Sequence, residues 1–510
     1  MILAMAFALQ VRLPHAPGAA GAKSIARPNI VLIQTDDQTY EQVTRRAMPV
    51  TRRLLARRGT RFTDYVASTA QCCPSRASLI TGQYAHNHGV TSNNVGYAGL
   101  VDKGNVLPVW LQRAGYRTIH IGKFMNGYGA AVEPDSIVPP GWDEWHSVLG
   151  SREYYRYDLY VNGAGIHRGS RRRDHVTRVL NEKAATLARR YATRGQPFYL
   201  QLDTRAPHDS RERDPFGSCD REPIPDPRDE TLKSKLPRPP SFNEGDMTDK
   251  PAFISTAPRL GKVDKALIRR HWRCALASLA GVDRGVAAIF QAVKAAGELQ
   301  RTIFMFASDN GQFYGEHRIK TGKVLPYEEA LRMPLLIKVP RGYRDGASRV
   351  SRVGRQVGNI DLAPTILDFA KGRPCARAGN CRTMDGRSLV PLLTRSGGWP
   401  GDRGLLVEYR VASAGRYATC EFAGVRTRND IYVRHFRVVD RATGECAATD
   451  QRERYDLNRD RLELSNLCPG GDQCPTDRRQ RELEALLGEF RDCAGIAGRD
   501  PRVGGRPFCG

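Results

Sequence analysis

The sequence predicts an α/β fold: a doubly wound, mostly parallel sheet with helices on both faces, plus a smaller antiparallel sheet and a terminal helix. Two patterns in the first 370 or so residues support this. Short unbroken apolar runs, such as Asn29–Gln34, Pro197–Asp203 and Thr302–Ala307, have the length and composition of strands buried on both faces. Between them lie stretches of helical periodicity, such as Val176–Thr193 and Val263–Ala296, the alternation of a crossover-connected sheet. A third observation marks a second region: after about residue 400, period-two alternation takes over.

In chain order, Asn29–Gln34 is read as the first buried strand, ending in Thr35-Asp36-Asp37. Val50–Arg58 is helical in pattern and Arg61–Val66 strand-like. Val106–Ala114 is an apolar helix leading to strand Thr118–Ile121 and Gly122-Lys123. Helix Val176–Thr193 feeds strand Pro197–Asp203, and the long helix Val263–Ala296 feeds Thr302–Ala307, followed by Ser308-Asp309-Asn310-Gly311. Strand Pro334–Val339 and helix Leu362–Phe369 close this part. Residues 204–262 are polar and proline-rich, too long for a connector, and are expected to shape a substrate entrance; a disordered surface loop is the alternative. Beyond residue 400, Val425–Val439 alternates and Arg478–Phe490 is an amphipathic helix. The domains expected are 28–399 and 400–510.

At 510 residues the chain exceeds a usual single core. Its formal charge of +25 could attract polyanions, but the basic residues recur along the chain without the aromatic interleaving of a nucleic-acid module, so a solvated, arginine-rich surface is expected and no nucleic acid. Residues 1–24 carry a short apolar run and a small-residue stretch, resembling a secretion signal, and no other segment reaches the roughly 18 apolar residues of a membrane span. Twelve cysteines point to an oxidising compartment, hence a secreted or otherwise extracytoplasmic protein. Proximity suggests Cys375/Cys381, Cys420/Cys446, Cys468/Cys474 and Cys493/Cys509 as local bridges and Cys219/Cys274 as a longer one, leaving Cys72 and Cys73 unpaired. Sequence alone does not fix connectivity.

Residues 71–82 read Gln-Cys-Cys-Pro-Ser-Arg-Ala-Ser-Leu-Ile-Thr-Gly. Pro74 suits a first helical position, so the free amides of a helix start are expected near Cys72, where they would attract an anion. Arg76 adds a guanidinium whose fork matches tetrahedral oxyanions. A disulfide cysteine beside a turn is the plainer reading of Cys-x-Pro alone. The whole string, however, resembles the signature of the type I sulfatases, Cys-x-Pro-Ser-Arg-x-x-x-x-Thr-Gly. That resemblance implies an alkaline-phosphatase-like fold, sulfuric ester hydrolysis, and oxidation of Cys72 to formylglycine by a formylglycine-generating enzyme.

Asp36, Asp37, Asp309 and Asn310 follow predicted strand ends, where ligands sit in open α/β sheets. Four hard oxygen donors suit Ca²⁺ or Mg²⁺ rather than zinc; adjacent acids at a strand end are otherwise capping residues, and Asp-Asn-Gly a common turn. The resemblance makes these four, with Cys72, the ligands of one divalent cation. It also makes Lys123 and Lys323 holders of sulfate oxygens, and His208, in Arg-Ala-Pro-His, a sulfate contact and proton donor to the leaving alcohol. Asn126 and His317 are further substrate-binding candidates, while His86 and His88 are expected to support the loop after the cysteine helix. Met125 stands where many members carry a histidine that assists sulfate release. The string Gly122–Gly129, then Pro139–Trp142, Tyr154-Tyr155 and Val161–Gly163, looks like the glucosamine-6-sulfatase and extracellular endosulfatase branch.

The implied chemistry is attack on sulfur by one oxygen of the hydrated aldehyde, with Asp309 as proton acceptor, and release of sulfate as the aldehyde re-forms. The implied substrate is a 6-sulfated N-acetylglucosamine or a glycosaminoglycan bearing it. Competing readings are an arylsulfatase of other specificity, a phosphate or phosphonate monoester hydrolase of the same superfamily, and a non-catalytic polyanion-binding protein.

Overall fold

The computed structural model describes residues 26–510 apart from 130–137, 149–152, 218, 230–231, 233, 345–348, 395–397, 402 and 416. The expected secretion signal, 1–24, lies outside the described residues. The chain runs through β1 (Asn29–Thr35), β2 (Thr60–Val66), β3 (Arg117–Lys123), β4 (Glu144–Val148), β5 (Tyr157–Val161), β6 (Ala164–Arg168), β7 (Phe198–Asp203), β8 (Thr302–Ser308) and β9 (Arg332–Lys338). With the short β10 (Arg352–Val353) and β11 (Val357–Gly358) these form one eleven-stranded sheet, ordered β10-β2-β9-β8-β1-β7-β3-β4-β5-β6 with β11 beside β2. The centre, β8-β1-β7-β3-β4, is parallel. β9 is antiparallel to both of its neighbours, and β5 and β6 form an antiparallel edge.

Alternate residues of the central strands feed two separate cores. Ile30, Leu32, Tyr199, Ile303 and Met305 pack against α1 (Cys72–Thr81), α2 (Leu107–Arg113) and residues of the later helix Leu362–Phe369. Val31, Ile33, Leu200, Leu202, Phe304 and Phe306 pack on the other face against α3 (Val176–Ala192) and α4 (Lys262–Ala295). Each fully buried Leu or Ile contributes about 1.5–3 kcal/mol, so both layers are held chiefly by apolar burial. By length and composition α4 could cross a membrane, but 67% of its most apolar window is buried within the fold, as in a core helix of a globular protein.

The expected helix Val50–Arg58 is instead a short turn, Pro49–Thr51, and a wider one, Arg52–Ala56. The Asp283 carboxylate of α4 accepts the Val50 and Thr51 amides at 2.9 and 2.7 Å, fixing the start of that turn from outside. Residues 204–262 contain little regular structure, yet the Cys219–Cys274 disulfide and the Arg178–Asp226 and Arg284–Asp229 pairs fasten them to the helix layer.

After α5 (Leu362–Phe369) and the hairpin β12 (Cys375–Arg377) and β13 (Asn380–Cys381), a second sheet begins. It comprises β14 (Leu405–Arg410), β15 (Thr419–Arg426), β16 (Asp430–Val439), β17 (Cys446–Ala448) and β18 (Arg452–Asp456), all antiparallel, with α6 (Arg478–Phe490) packed through Leu483, Leu487 and Phe490. All five expected disulfides are present, and Cys72 and Cys73 are free and buried.

Candidate active site

Register places the site. Thr35 pairs with Ser308, Gln34 with Asp203, and Gly122 with Asp203, so β1, β8, β7 and β3 end together. Asp36-Asp37, Asp309-Asn310, Thr204–His208 and Lys123 therefore emerge at one edge of the sheet. The Asp309 amide donates to the Thr35 carbonyl (3.1 Å), and the Asp37 amide to Asp309 Oδ1 (3.1 Å). Asp37 adopts φ +68°, a left-handed conformation uncommon for a non-glycine residue.

Cys72 opens α1, so Pro74 is the third helical residue rather than the first. The expected cradle of free amides is not there: the Cys73 amide donates to Asn93 Oδ1 (2.8 Å), Ser75 donates to the Gln71 carbonyl (3.0 Å), and Pro74 has no N–H. Positive charge comes from side chains instead. Cys72 Sγ lies 3.2 Å from Asp36 Oδ1, 3.8 Å from Asp37 Oδ1 and 2.8 Å from Lys323 Nζ. Lys123 Nζ pairs with Asp36 Oδ2 at 2.5 Å, and Lys323 pairs closely with Asp37. Arg76 donates from Nε and Nη2 to Asp309 Oδ2 (3.0 and 2.8 Å) and from Nη1 to the Lys123 carbonyl (3.0 Å).

His208 places Nε2 3.6 Å from Asp37 Oδ2, while Nδ1 meets the Asp209 carboxylate at 2.7 Å. Ligand atoms of Asp36, Asp37, Cys72 and His208 all lie within 4.8 Å of one another. Asn310 donates to Asp37 Oδ1 at 2.7 Å, and its own Oδ1 is buried without a hydrogen-bond partner. A buried amide oxygen left unpaired beside two carboxylates fits a hard cation.

The charges shift one another. Burial alone would raise the Asp36 carboxyl, but Lys123, His208, Arg76 and Lys323 outweigh it and hold it well below the usual range. Burial pushes Asp309 up to about 6, with Asp36 adding to the rise against Arg76 and Lys123. Burial disfavours the His208 cation, yet Asp36, Asp209 and Asp37 together raise it to about 10. The neighbouring Cys73 thiol is pushed up to about 12, chiefly by burial, which keeps it protonated and inert.

Of the eleven site residues expected from sequence, Cys72, Arg76, Asp36, Asp37, Asp309, Asn310, Lys123, Lys323 and His208 converge. Asn126 sits at the exposed rim, its backbone amide 3.0 Å from Cys73 Sγ. His317 belongs to a different cluster: it is fully buried, stacks on Tyr327 and contacts Glu244, so substrate contact is corrected to a place in that network. Met125 is packed in the apolar core. His88 bonds to Ser78 and the Val90 amide, and His86 to Glu408, both supporting the turn after α1. Residues not foreseen include Asp203, 3.2 Å from Arg76 Nη1, and His120, 3.0 Å from Asp203. His120 lies in the middle of buried β3 and Asp203 is the last residue of buried β7.

The parallel centre, the catalytic-looking edge and the added antiparallel sheet define an alkaline-phosphatase-like α/β protein. The solved structure of BT4656 in complex with its substrate D-glucosamine-2-N,6-O-disulfate shares this fold, with a TM-score of 0.68, 25% identity, and 91% of this chain and 98% of that one covered. The sulfatase family profile matches residues 28–372, and the profile described as N-sulphoglucosamine sulphohydrolase, C-terminal, matches 315–487. The chain belongs to the sulfatase family. It is 29% identical to N-acetylglucosamine-6-sulfatase of Capra hircus over 533 residues, covering 95% of this chain and 87% of the relative. It is also 31% identical over 427 residues to an extracellular sulfatase SULF-1 homolog of Drosophila melanogaster, covering 81% of this chain but 36% of that protein. The chain thus spans well under half the length of that relative.

Proposed function

We propose that this protein hydrolyses sulfate esters of a sulfated sugar, with 6-sulfated N-acetylglucosamine as the substrate, using a formylglycine made from Cys72 and one Ca²⁺ or Mg²⁺. The observation that carries the reading is Cys72 itself: a free, buried cysteine within the Cys-x-Pro-Ser-Arg string, against Asp36, Asp37 and Lys323. Asp36, Asp37, Asp309 and Asn310 would hold the cation, and the orphaned Asn310 Oδ1 supports that donor set. Together the ion and the hydrated aldehyde supply a Lewis acid and an oxygen nucleophile for a sulfuryl group.

The remaining groups orient and balance charge. Arg76, one helical turn after position 72, has its guanidinium fixed by Asp309 and Asp203. Lys123 and Lys323 bring two ammonium groups to the place of sulfuryl oxygens, which offsets charge that grows in the transition state. Asp309, held by Arg76, is the proton acceptor. His208 has Asp209 against Nδ1, leaving Nε2 as donor to a departing sugar oxygen. Relatives named N-acetylglucosamine-6-sulfatase and the substrate of BT4656 support a glucosamine sulfate.

The same reading includes a formylglycine-generating enzyme as the maturation partner, residues 28–399 as the catalytic domain with 400–510 as its C-terminal subdomain, and secretion directed by residues 1–24. Five disulfides support an oxidising compartment. Mass spectrometry of the peptide spanning Cys72, from protein made beside a formylglycine-generating enzyme, tests the modification; aldehyde and its hydrate are expected. Rates on N-acetylglucosamine 6-sulfate, an aryl sulfate and an aryl phosphate test the chemistry. Unmodified thiol, or faster phosphate than sulfate hydrolysis, would defeat the proposal.

A further inference from the structure

A second polar cluster lies apart from Cys72, and the proposed reaction makes no use of it. His317 follows β8, Glu329 lies on the short helix Glu328–Leu331, and Glu463 comes from the segment after β18. Three stretches distant in sequence therefore meet at one point. His317 and Glu463 are each 0% exposed. One nitrogen of His317 and one oxygen each of Glu329 and Glu463 lie within 4.8 Å of one another.

Three polar atoms at this point lack hydrogen-bond partners. His317 Nδ1 meets Glu244 Oε2 at 2.6 Å, which leaves Nε2 as the nitrogen that faces Glu329 and Glu463. Its nearest carboxylate oxygen, Glu329 Oε2, stands 3.7 Å away, too far for a hydrogen bond. His317 Nε2, Glu329 Oε2 and Glu463 Oε1 are all buried without a hydrogen-bond partner. Nearby cations are engaged elsewhere: Lys250 with Glu244 and the Leu464 carbonyl, Arg426 and Arg461 with Asp64 and Glu328. Among the described residues Glu329 and Glu463 have no ion-pair partner apart from His317. Three unpartnered polar atoms that converge in the interior are satisfied by a cation held between them, a metal ion in place of the protons that burial otherwise keeps there.

The geometry points to a second divalent-cation site, of zinc type, formed by His317, Glu329 and Glu463. An imidazole with two carboxylates selects zinc or a similar borderline ion over the hard ions that suit four oxygens. A carboxylate on the outward nitrogen of a ligating histidine is the usual second layer of such a site, and Glu244 occupies that position. A cavity of about 460 Å³, lined by Glu316, Glu328, Glu329 and Gln312, reaches one of the three ligands, Glu329. The ion would tie the loop that leads into Lys323 to residues from the C-terminal region, bracing one edge of the active site from behind.

The test is metal analysis of the full-length protein, expressed with zinc available and dialysed into calcium buffer. One zinc per chain is expected in the wild type and in Asn310→Ala, and at least tenfold less in His317→Gln and in Glu463→Gln. Added Zn²⁺ should raise the Tm of metal-stripped wild type by several degrees and leave that of His317→Gln unmoved. Wild-type protein without stoichiometric zinc and without that Tm shift would overturn the site, as would equal zinc in wild type and both variants. Should neither variant fold, anomalous scattering from wild-type crystals at the zinc edge decides: a peak between His317 Nε2 and the two carboxylates supports the site, and its absence there refutes it. None of these outcomes bears on Cys72 or on sulfate hydrolysis.

Discussion

Arg76 and Arg426 are both buried guanidiniums, 3% and 0% exposed, and the environments around them differ in kind. Arg426, on β15, donates from all three nitrogens: to Glu328, to both oxygens of Asp64, to Gln356 and to the Thr427 carbonyl. It joins the two sheets, since Asp64 lies on β2. Its fork is satisfied, and the second oxygen of Glu328 is met by Arg461 at 3.3 Å. Arg76 also has its carboxylate, Asp309, but the groups beyond it are not settled. Lys123, Lys323 and His208 crowd three acids, Asp37 is held at positive φ, and Asn310 Oδ1 has no partner. Complete pairing marks a structural arginine, whereas pairing that leaves neighbours unsatisfied marks a site awaiting a ligand.

The sharpest way to break this contrast is at the cysteine beside Arg76. Cys72→Ala should lower kcat on an aryl sulfate by at least about 10⁴-fold, because it removes the nucleophile's carbon chemistry altogether. Its thermal unfolding should stay close to wild type, because only one sulfur atom is lost. Residual activity within tenfold of wild type would place the chemistry elsewhere. The two arginines should then separate cleanly. Arg426→Met strands Asp64 and Glu328 and should cost about 3–5 kcal/mol in chemical denaturation, while kcat of the folded fraction changes little. Arg76→Met strands Asp309 and Asp203 and also loses stability, but kcat of its folded fraction should fall by several orders of magnitude. If both variants behaved alike, the distinction drawn from their partners would fail.

Much of this was legible in the chain. The apolar runs of β1, β7 and β8 and the helical period of α6 declare themselves because burial on two faces, or on one stripe, leaves a simple pattern. Asp36, Asp37, Asp309 and Asn310 stood out because they interrupt such runs at their ends. Close spacing anticipated the four local bridges, while Cys219–Cys274, 55 residues apart, was paired without that signal. Less visible were relations that depend on three dimensions. Asp203 and His120 sit within strands and meet Arg76 only through the register of β3, β7 and β1. The antiparallel direction of β9 has no sequence signature, and Asn93, which takes the Cys73 amide, comes from a loop twenty residues beyond it. His317 was misplaced because Gly-Glu-His lies near Lys323 in sequence, while its side chain turns to Glu244.

Cation removal probes the unfinished side of the comparison. Exhaustive chelation should abolish hydrolysis, and Ca²⁺ alone should restore it, as expected when oxygen ligands hold the ion at this site. Asn310→Ala should raise the Ca²⁺ concentration for half-maximal activity by about tenfold, measured by titrating calcium into the stripped enzyme. An unchanged calcium requirement would remove Asn310 from the donor set.

The smallest expected effect concerns a pair built like that of Arg426 but with a titratable cation. His86, just after α1, places Nδ1 3.1 Å from Glu408 on β14, while Nε2 faces the Cys493 carbonyl at 3.0 Å. Burial alone would lower its pKa, but Glu408, by charge and by hydrogen bond, and the Cys493 carbonyl raise it to about 9 from an ordinary value of 6.5. The folded state therefore binds the proton more tightly than the unfolded chain does. The stabilisation is fully present below about pH 6.5 and is lost as pH rises toward 9. Its size should be on the order of 2 kcal/mol, since the pair is largely but not wholly shielded from water. Urea denaturation across that pH range should show wild type losing stability relative to Glu408→Gln, whose profile should be flatter. Parallel profiles would mean that His86 is neutral in the fold, and that the joint between the cysteine helix and the second sheet rests on hydrogen bonds rather than charge.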